Sequence, residues 1–310
     1  MHAKVLGWGH CLPPSVERAG VSRPIAEEPI GPSTLAARAA AAVFDRTGLK
    51  NEDVDFIVFA TMTPDVSFPG AACYLQDQLG CATVPALDIR AQCAGFLFAL
   101  QIAWKFIQSG QYRCTLVVGG EVHSSAVDYE WQPEVARLFG DGAGLALLGA
   151  TNANSSIEAV VTHADGRCHR AFWCEYPASR QHPRRITRED FGLGRHLMQI
   201  DRTTLARFGR ETLPVVAKEA LEQAGRRVAQ VDRFFISHVF PEVAREAART
   251  LGVPDDVVTV PSETHGHLGA GALPVAVSEC LEAGMVEPGA TVCLAASGAG
   301  LAWAGAVLRL

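Results

Sequence analysis

The sequence of 310 residues lacks the cysteine spacing of metal-binding and disulfide-rich proteins. It has nine cysteines, yet no two of them form a CxxC pair, and several lie inside apolar runs. An odd number of cysteines in such positions favours free thiols in a reducing compartment over a disulfide framework or a zinc site. We therefore expect no bound metal ion.

Long apolar runs and clusters of basic charge are also missing. No apolar segment reaches the length of a transmembrane helix, and the first residues lack the charged-then-apolar pattern of a signal peptide. Neither end is rich in lysine or arginine, and the formal net charge is −6, which argues against a general nucleic-acid binder. The sequence predicts a soluble, cytoplasmic protein that binds neither nucleic acid nor membranes.

What the sequence does contain is a globular composition and an internal repeat. Hydrophobic residues make up 48% and charged residues 19%, as in a protein with a large buried core. Alternating strands and helices fill the first half, and the last third repeats their order. This duplication predicts two pseudo-symmetric α/β halves, each with a mainly parallel sheet covered by helices. The polar segment "ATNANSS" interrupts the pattern, so the predicted halves are 1–155 and 156–310, and they should share one core because no flexible linker separates them.

The periodicity of apolar residues locates the individual elements. In the first half it predicts strands at 56–62, 84–89, 114–121 and 142–150, with helices at 69–80 and 94–110. In the second half it predicts strands at 233–240, 256–260, 291–298 and 301–310, with helices at 241–252 and 271–284.

Cys93 lies at the junction of a predicted strand and a predicted helix. A cysteine in an apolar stretch is commonly a buried space-filler, and Cys114 and Cys293 fit that description. At the start of a helix, however, unpaired N–H groups and the helix dipole lower the pKa of a thiol. The small residues Ala94 and Gly95 leave the approach open, and the N–H of Cys93 itself can hold an oxyanion. We therefore interpret Cys93 as a nucleophile.

Three histidines follow strand ends of the second half, where sites form in α/β sheets. His238 ends one strand, where a structural role and a catalytic one are equally plausible. His265 and His267 flank Gly266 in "THGHLGAGALP", which could be a tight packing corner. A metal site is disfavoured because no cysteine or carboxylate stands at ligand spacing, so we favour an imidazole aimed at a substrate oxygen.

Two glycine-rich turns complete the candidates. "SGAGLAW" joins two strands of the second half, and its N–H groups could complete an oxyanion hole, although glycines are common at any tight turn. "RLFGDGAG" in the first half is interpreted as a turn that supports the core.

These segments together resemble the β-ketoacyl-ACP synthase III branch of the thiolase superfamily. The similarity covers nearly the whole chain, in the order that the family has, and is carried by "FIVFATMTPDVSFPGAAC", "ALDIRAQCAGFLFAL", "VVGGE", "RLFGDGAGLALL", "HADG", "ISH", "THGHLGAGALP" and "GAGLAWAGAVLRL". The resemblance implies an α/β protein with the thiolase fold, in which two pseudo-symmetric halves form five αβαβα layers. It also implies a homodimer, while a heterodimer with a homologue stays open.

The resemblance further implies a role for several residues. Cys93 matches the cysteine that takes an acyl group from CoA or acyl carrier protein as a thioester. His238 matches the first imidazole of the family's site. Ala299 matches the residue whose N–H joins that of Cys93 in the oxyanion hole. Phe68 matches an aromatic residue that reaches the acyl pocket of the partner subunit.

Two departures from the family pattern affect the expected chemistry. Where the family has asparagine this chain has His267, so its Cys-His-His set resembles that of the elongating synthases. A neutral imidazole can replace an amide as a donor to a thioester oxygen. The chain also lacks a stretch after "LPPSVER" in which the family carries a tryptophan and an arginine that grip the adenine end of CoA.

The loss of this stretch suggests a substrate carried by acyl carrier protein on at least one side of the reaction. Arg184, Arg185 and Arg188 are candidates to compensate for the missing grip on CoA. By analogy with the family, Arg245 and Arg249 could meet an acidic carrier protein, although exposed arginines are usually only solvated.

The resemblance predicts a ketosynthase that forms a β-ketoacyl thioester by decarboxylative Claisen condensation through acyl-Cys93. Its substrates would be acyl-CoA or acyl-ACP together with malonyl-ACP. It would act in fatty-acid-like or polyketide biosynthesis, and it would hold no bound cofactor. Two alternatives remain: an acyltransferase that passes the acyl group to an alcohol or amine without decarboxylation, and a non-catalytic partner subunit of a ketosynthase heterodimer.

Overall fold

Strands and helices alternate along the whole chain, and a computed structural model describes all 310 residues. The strands are β1 (His2–Cys11), β2 (Ser15–Arg18), β3 (Val21–Pro24), β4 (Phe56–Ala60), β5 (Ala86–Ile89), β6 (Cys114–Glu121), β7 (Gly142–Thr151), β8 (Ile157–Ala164), β9 (Phe172–Cys174), β10 (Met198–Ile200), β11 (Arg233–Ser237), β12 (Val258–Thr259), β13 (Thr291–Gly298) and β14 (Ala302–Arg309). The helices are α1 (Pro32–Thr47), α2 (Ala71–Leu79), α3 (Gly95–Gln108), α4 (Pro133–Ala136), α5 (Arg188–Gly192), α6 (Arg202–Gln223), α7 (Pro241–Thr250), α8 (Pro261–His265) and α9 (Ala272–Glu282).

The two large sheets have the same topology, which confirms the duplication. The first has the strand order β1-β7-β6-β4-β5 and the second has the order β12-β11-β13-β14-β8. All strands of the first sheet lie within residues 2–151 and all strands of the second within residues 157–309. The predicted division between residues 155 and 156 therefore falls in the segment that joins β7 to β8.

Both sheets are mixed, so the prediction of mainly parallel sheets is wrong. In the first sheet β4 runs parallel to β5 and β6, whereas β6, β7 and β1 pair antiparallel. In the second sheet β11 runs parallel to β12 and β13, whereas β13, β14 and β8 pair antiparallel. Helices cover both faces of each sheet, so antiparallel strands are also buried on both sides and have the continuous apolar sequence expected of parallel ones.

The elements stack in five layers with α3 and α9 at the centre. These two helices pack between the sheets, and the largest shared cluster of buried side chains includes residues of both sheets and both helices. Helices α1 and α2 cover the outer face of the first sheet, and α6 and α7 cover the outer face of the second. The two halves therefore share one core, as the absence of a linker predicted.

Most of the predicted elements are found in place, but α1 and α6 were not predicted. Their ends carry recognisable signals: Pro32 begins α1 and Gly48 ends it at φ 72°, while the side chain of Asp201 accepts the N–H of Thr204 at the start of α6. None of the helices combines the length and apolar composition needed to cross a bilayer.

Candidate active site

Cys93 is held at the carboxyl end of β5, in a short 3-10 turn that leads into α3. The carboxylate of Asp88 in β5 accepts the N–H groups of Ala71 and Ala72, both at 2.7 Å, which ties this strand to the start of α2. Gln92 adopts a φ of 46°, and Cys93 follows with only 2% of its surface exposed. On the other side stands Gly298 at the end of β13, where a Cβ would lie 2.3 Å from the Cys93 Sγ. The nucleophile therefore has fixed neighbours on both sides.

His267 contacts the thiol directly. Its Nε2 lies 3.0 Å from the Sγ of Cys93, and the side chain is fully buried. The preceding Gly266 has a φ of 72°, which redirects the chain after α8. The main chain of His267 is then clamped: its N–H donates to the carbonyl of Leu138 at 2.7 Å, and its carbonyl accepts the N–H of Gly140 at 3.3 Å. The turn that was expected only to support the core thus holds a site residue.

His238 follows β11 and is fully buried. Its Nδ1 accepts the N–H of Phe240 at 3.1 Å, so the neutral ring carries its proton on Nε2. A Cβ at Gly209 of α6 would lie 2.6 Å from this Nε2, so the helix leaves room for the ring only because it has a glycine there. Nε2–H of His238 is therefore available as a donor.

Burial keeps the thiol of Cys93 and the imidazoles of His238 and His267 uncharged. Loss of solvation raises the pKa of the Cys93 thiol to about 12, although the N–H groups of Ala299 and Cys93 bond to it and lower the pKa in part. The expectation of a low pKa at the helix start is therefore wrong, because desolvation outweighs those N–H groups. Burial also lowers the pKa of His238 to about 4, and burial together with the neighbouring His123 and His238 lowers the pKa of His267 well below its usual range. Near pH 7 the thiol is protonated and His267 is neutral, so the tautomer of His267 decides which of the two groups donates.

His265 does not take part in this cluster. Its Nε2 lies 2.8 Å from a carboxylate oxygen of Glu279 in α9, so of the two histidines in the motif only His267 faces the thiol.

Two buried residues at the end of β6 were missed from the sequence. Glu121 accepts the hydroxyls of Thr61 and Thr63 and the N–H groups of Met62 and Thr63, and burial raises its pKa to about 7. His123 is fully buried, with its ring centroid 6.2 Å from that of His267. Glu121 is the last residue of the quoted motif "VVGGE" and His123 follows it by two positions, so polar residues at the end of a buried strand were the signal available.

A cavity of about 370 Å³ opens beside the nucleophile. It is lined by Met62, Thr63, Arg90, Gln92, Ala126, His169, Phe172, Trp173, Cys174, Met198, Ala299 and Gly300. One wall comes from β9 and β10, which pair antiparallel and flank residues 175–197. Gln92, the residue before Cys93, and Ala299 border the cavity, so it lies beside the turn that carries the nucleophile.

The remaining candidates lie away from this centre. Phe68 is 79% exposed on the surface, and Arg184 and Arg185 are exposed in the segment between β9 and α5. Arg249 is exposed on α7, whereas Arg245 on the same helix forms two hydrogen bonds with the carboxylate of Glu263, at 2.8 and 2.6 Å.

Family comparisons match the two parts of the chain that carry the site. The model for 3-oxoacyl-[acyl-carrier-protein (ACP)] synthase III matches residues 87–166, which include Cys93. The model for the C-terminal part of the same synthase matches residues 221–310, which include His238 and His267.

Relatives of similar length match over the whole chain. The β-ketoacyl-[acyl-carrier-protein] synthase III of Syntrophomonas wolfei is 31% identical over 328 aligned positions, covering 100% of this chain and 98% of the relative. The synthase of the same name from Laribacter hongkongensis is 31% identical over 327 positions, covering 99% of each.

Solved structures agree with the sequence comparisons. The 3-oxoacyl-[acyl-carrier-protein] synthase III of Aquifex aeolicus superposes with a TM-score of 0.87 at 29% identity, covering 99% of this chain and 100% of that one. The priming β-ketosynthase of the R1128 polyketide biosynthetic pathway superposes with a TM-score of 0.89 at 28% identity, covering 100% and 96%. The predicted thiolase fold is confirmed.

Proposed function

Because the chain belongs to the 3-oxoacyl-[acyl-carrier-protein] synthase III family, we propose that it condenses an acyl group held on Cys93 with a malonyl thioester. The observation that carries this proposal is the 3.0 Å contact between the Sγ of Cys93 and the Nε2 of His267. The cavity bordered by Gln92 and Ala299, beside this contact, supports it as the space for an acyl chain. The product is a β-ketoacyl thioester, made in fatty acid or polyketide biosynthesis.

In the first half of the reaction Cys93 takes the acyl group. As Sγ attacks the carbonyl carbon of the acyl donor, its proton passes to Nε2 of His267. We expect the N–H groups of Cys93 and Ala299, which lower the pKa of the thiol, to hold the oxyanion that forms at the carbonyl. The thiolate of the donor leaves and takes the proton from His267, so the imidazole is neutral again.

In the second half the two neutral imidazoles hold the malonyl thioester. Loss of carbon dioxide leaves an electron pair as an enolate, whose oxygen charge needs hydrogen-bond donors. Nε2–H of His238 is one donor, because its Nδ1 is occupied by the N–H of Phe240. Nδ1 of His267 has no partner that would impose one tautomer, so this ring can accept a proton in one step and donate from Nε2 in the other. The enolate carbon attacks the carbonyl carbon of acyl-Cys93, the new carbon–carbon bond forms, and Sγ leaves as a thiolate. A proton taken up from solvent then restores the thiol and closes the cycle.

The acyl donor and the malonyl group are proposed to arrive on acyl carrier protein or, for the donor, on CoA. The surface that supports this proposal is the exposed basic segment with Arg184 and Arg185, which is continuous with the β9–β10 wall of the cavity. Arg249 is free to contribute from α7, whereas the ion pair between Arg245 and Glu263 makes Arg245 a weaker candidate. Free cysteines accord with a reducing compartment such as the cytoplasm.

The protein is proposed to act as a homodimer through the edge of the first sheet. Strand β5 ends this sheet with one side unpaired, and its Leu87 is 40% exposed. Phe68 nearby is 79% exposed, a poor position for an isolated aromatic side chain in water. Pairing of two β5 strands would cover both residues, and it would let Phe68 reach the partner subunit as the family resemblance implies.

The test is release of carbon dioxide together with a β-ketoacyl product. The protein is incubated with a series of acyl donors and malonyl-carrier protein, and Cys93→Ala serves as the control. We expect a mass adduct on Cys93 with the donor alone, and product only when malonyl thioester is added. Acyl transfer to a small alcohol or amine with malonyl thioester intact would contradict condensation, and absence of any adduct would favour the non-catalytic subunit. The comparisons favour condensation over both alternatives.

A further inference from the structure

His123 is a buried titratable residue that the proposed reaction does not use. It lies just after β6, none of its surface is exposed, and burial lowers its pKa to about 4. Its Nδ1 lies 3.2 Å from the carbonyl oxygen of Gly140. Because a carbonyl only accepts, the neutral ring carries its proton on Nδ1 and donates it to Gly140.

Gly140 connects this histidine to the active site. While its carbonyl accepts from His123, its N–H donates to the carbonyl of His267 at 3.3 Å. A Cβ at Gly140 would lie 2.2 Å from the carbonyl oxygen of His265, so the two segments are pressed together here. Gly140 is therefore the single residue that links the side chain of His123 to the main chain of His267, which contacts the nucleophile.

The ring of His123 also supports His267 from two other sides. The ring of Phe139 packs beside both rings, with centroid distances of 4.8 Å to His123 and 6.0 Å to His267, which are themselves 6.2 Å apart. At Gly269, two residues after His267, a Cβ would lie 2.9 Å from Cε1 of His123. The chain on both sides of His267 is thus in contact with His123 or with groups that His123 holds.

We propose that His123 is a positioning residue, which acts through Gly140 to keep the imidazole of His267 against the thiol of Cys93. The inference rests on the proposed function for its meaning, since His267 is the proton acceptor there. His123 itself touches no reacting atom: the contact to Sγ belongs to His267.

Other titratable groups face the same space and are part of any pH response. Glu121 precedes His123 by two residues, and a Cβ at Gly269 would meet its Cγ at 2.7 Å as well as the ring of His123. Asp141 accepts the N–H and hydroxyl of Ser124 on the other side. His238 and Cys93 lie beyond His267. Variants of His123 can be compared with one another because all of them keep Glu121, Asp141, His238 and Cys93.

The test measures alkylation of Cys93 by iodoacetamide across pH, which needs no acyl or malonyl substrate. The readout is the tryptic peptide from Ala91 to Lys105, because other cysteines of the chain are exposed and also react. His123→Leu removes the donor to Gly140 and keeps the apolar volume. His123→Asn keeps an N–H at the place of Nδ1 and removes the rest of the ring. His10→Leu is the matched control, since it removes a histidine bond of 2.9 Å to Ser278, outside the site.

We expect His123→Leu to slow alkylation about tenfold and to move its pH profile upward, because a displaced His267 accepts the thiol proton less well. His123→Asn should restore both rate and profile, and His10→Leu should leave both unchanged. A folded His123→Leu that alkylates at the wild-type rate overturns the proposal, as does a folded His123→Asn that behaves like His123→Leu. If His123→Leu does not fold, His123→Gln replaces it: its amide sits one carbon further out, so wild-type alkylation in that variant also overturns the proposal. Failure of condensation in the wild-type protein would count against the proposed function only.

Discussion

Cys93 depends on a base, because its surroundings do not ionise it. Burial raises the pKa of its thiol to about 12, and the two N–H groups that bond to it recover only part of the lost solvation. A thiol of this kind becomes nucleophilic when a neighbour takes its proton during attack. His267, at 3.0 Å, is the neighbour in contact.

Replacement of His267 by alanine should therefore slow acylation of Cys93 on the order of 100-fold, the size of a general-base contribution. The measurement is the rate at which the acyl adduct appears on Cys93, followed by mass spectrometry within the first turnover. His265→Asn is the matched control, because that ring bonds Glu279 instead of the thiol. Acylation of His267→Ala at the wild-type rate would show that the proton goes elsewhere.

At the scale of elements, the site depends on glycines that let helices and strands approach its side chains. Gly298 of β13 backs the thiol, and Gly209 of α6 faces the ring of His238. Neither contact can be seen in the sequence, because each joins segments that are far apart along the chain.

Gly209→Ala separates this packing effect from helix propensity. In a helix interior, alanine usually stabilises by about 1 kcal/mol relative to glycine. Here the new Cβ would lie 2.6 Å from Nε2 of His238, so we expect displacement of the ring, loss of most condensing activity and no gain in stability. Activity assays and thermal melting check this, with Gly166→Ala as the control because no atom lies within 4 Å of its Cβ position. Full activity with a raised melting temperature would contradict the packing argument.

The sequence was sufficient to predict most elements of the two sheets and the approach of a histidine of the "THGHLGAGALP" motif to Cys93. Apolar periodicity located the strands around Cys93 and His238, because buried strands and amphipathic helices have distinct patterns. The periodicity could not show that β7 and β14 run antiparallel to their neighbours, because strands buried on both faces are continuously apolar in either direction.

The position of Glu121 and His123 at the end of a buried strand was visible in the sequence, but their roles were not. Their roles depend on partners such as Thr61 and Gly140, which only the fold brings to the end of β6. The prediction of a low pKa for Cys93 was wrong for a related reason. The position of a residue at the start of a helix is visible in a sequence, whereas the depth of its burial is not.

At the scale of the whole molecule, the buried histidines connect stability to pH. His123 and His238 have a pKa of about 4 in the folded protein, below the unfolded value near 6.5, so the unfolded chain binds more protons between these values. Their contribution is present above pH 6.5 and is lost as the pH falls towards 4. Glu121 opposes them, because its pKa is raised to about 7 and the folded state takes up its proton first.

We expect the urea midpoint to fall between pH 7.5 and pH 5, where His123 and His238 each lose on the order of 2 kcal/mol. Glu121→Gln should show a steeper fall, because it lacks the carboxyl that gains a proton in the folded state. The measurement is equilibrium unfolding at several pH values for both proteins. A midpoint that stays constant or rises on acidification would contradict the assignment of neutral, buried rings.

The proposed dimer gives a prediction at the same scale. Phe68→Glu combined with Leu87→Lys places charges on the open edge of the first sheet, and we expect it to convert a dimer into monomers. Light scattering after size-exclusion chromatography measures the mass. Phe191→Glu combined with Leu193→Lys is the matched control, since these side chains are 59% and 56% exposed on a different surface. A monomeric wild-type protein, or an equal effect of both pairs, would contradict this interface.

The protonated state of Cys93 also bears on how the protein withstands oxidative stress. Peroxides attack thiolates, and they reach exposed sulfur atoms first. Cys73 and Cys168 are exposed, whereas Cys93 is buried and its thiol is uncharged near pH 7. Surface thiols would thus be oxidised before the nucleophile, and an inhibitor aimed at Cys93 would gain its selectivity from fitting the cavity instead of from a highly reactive warhead.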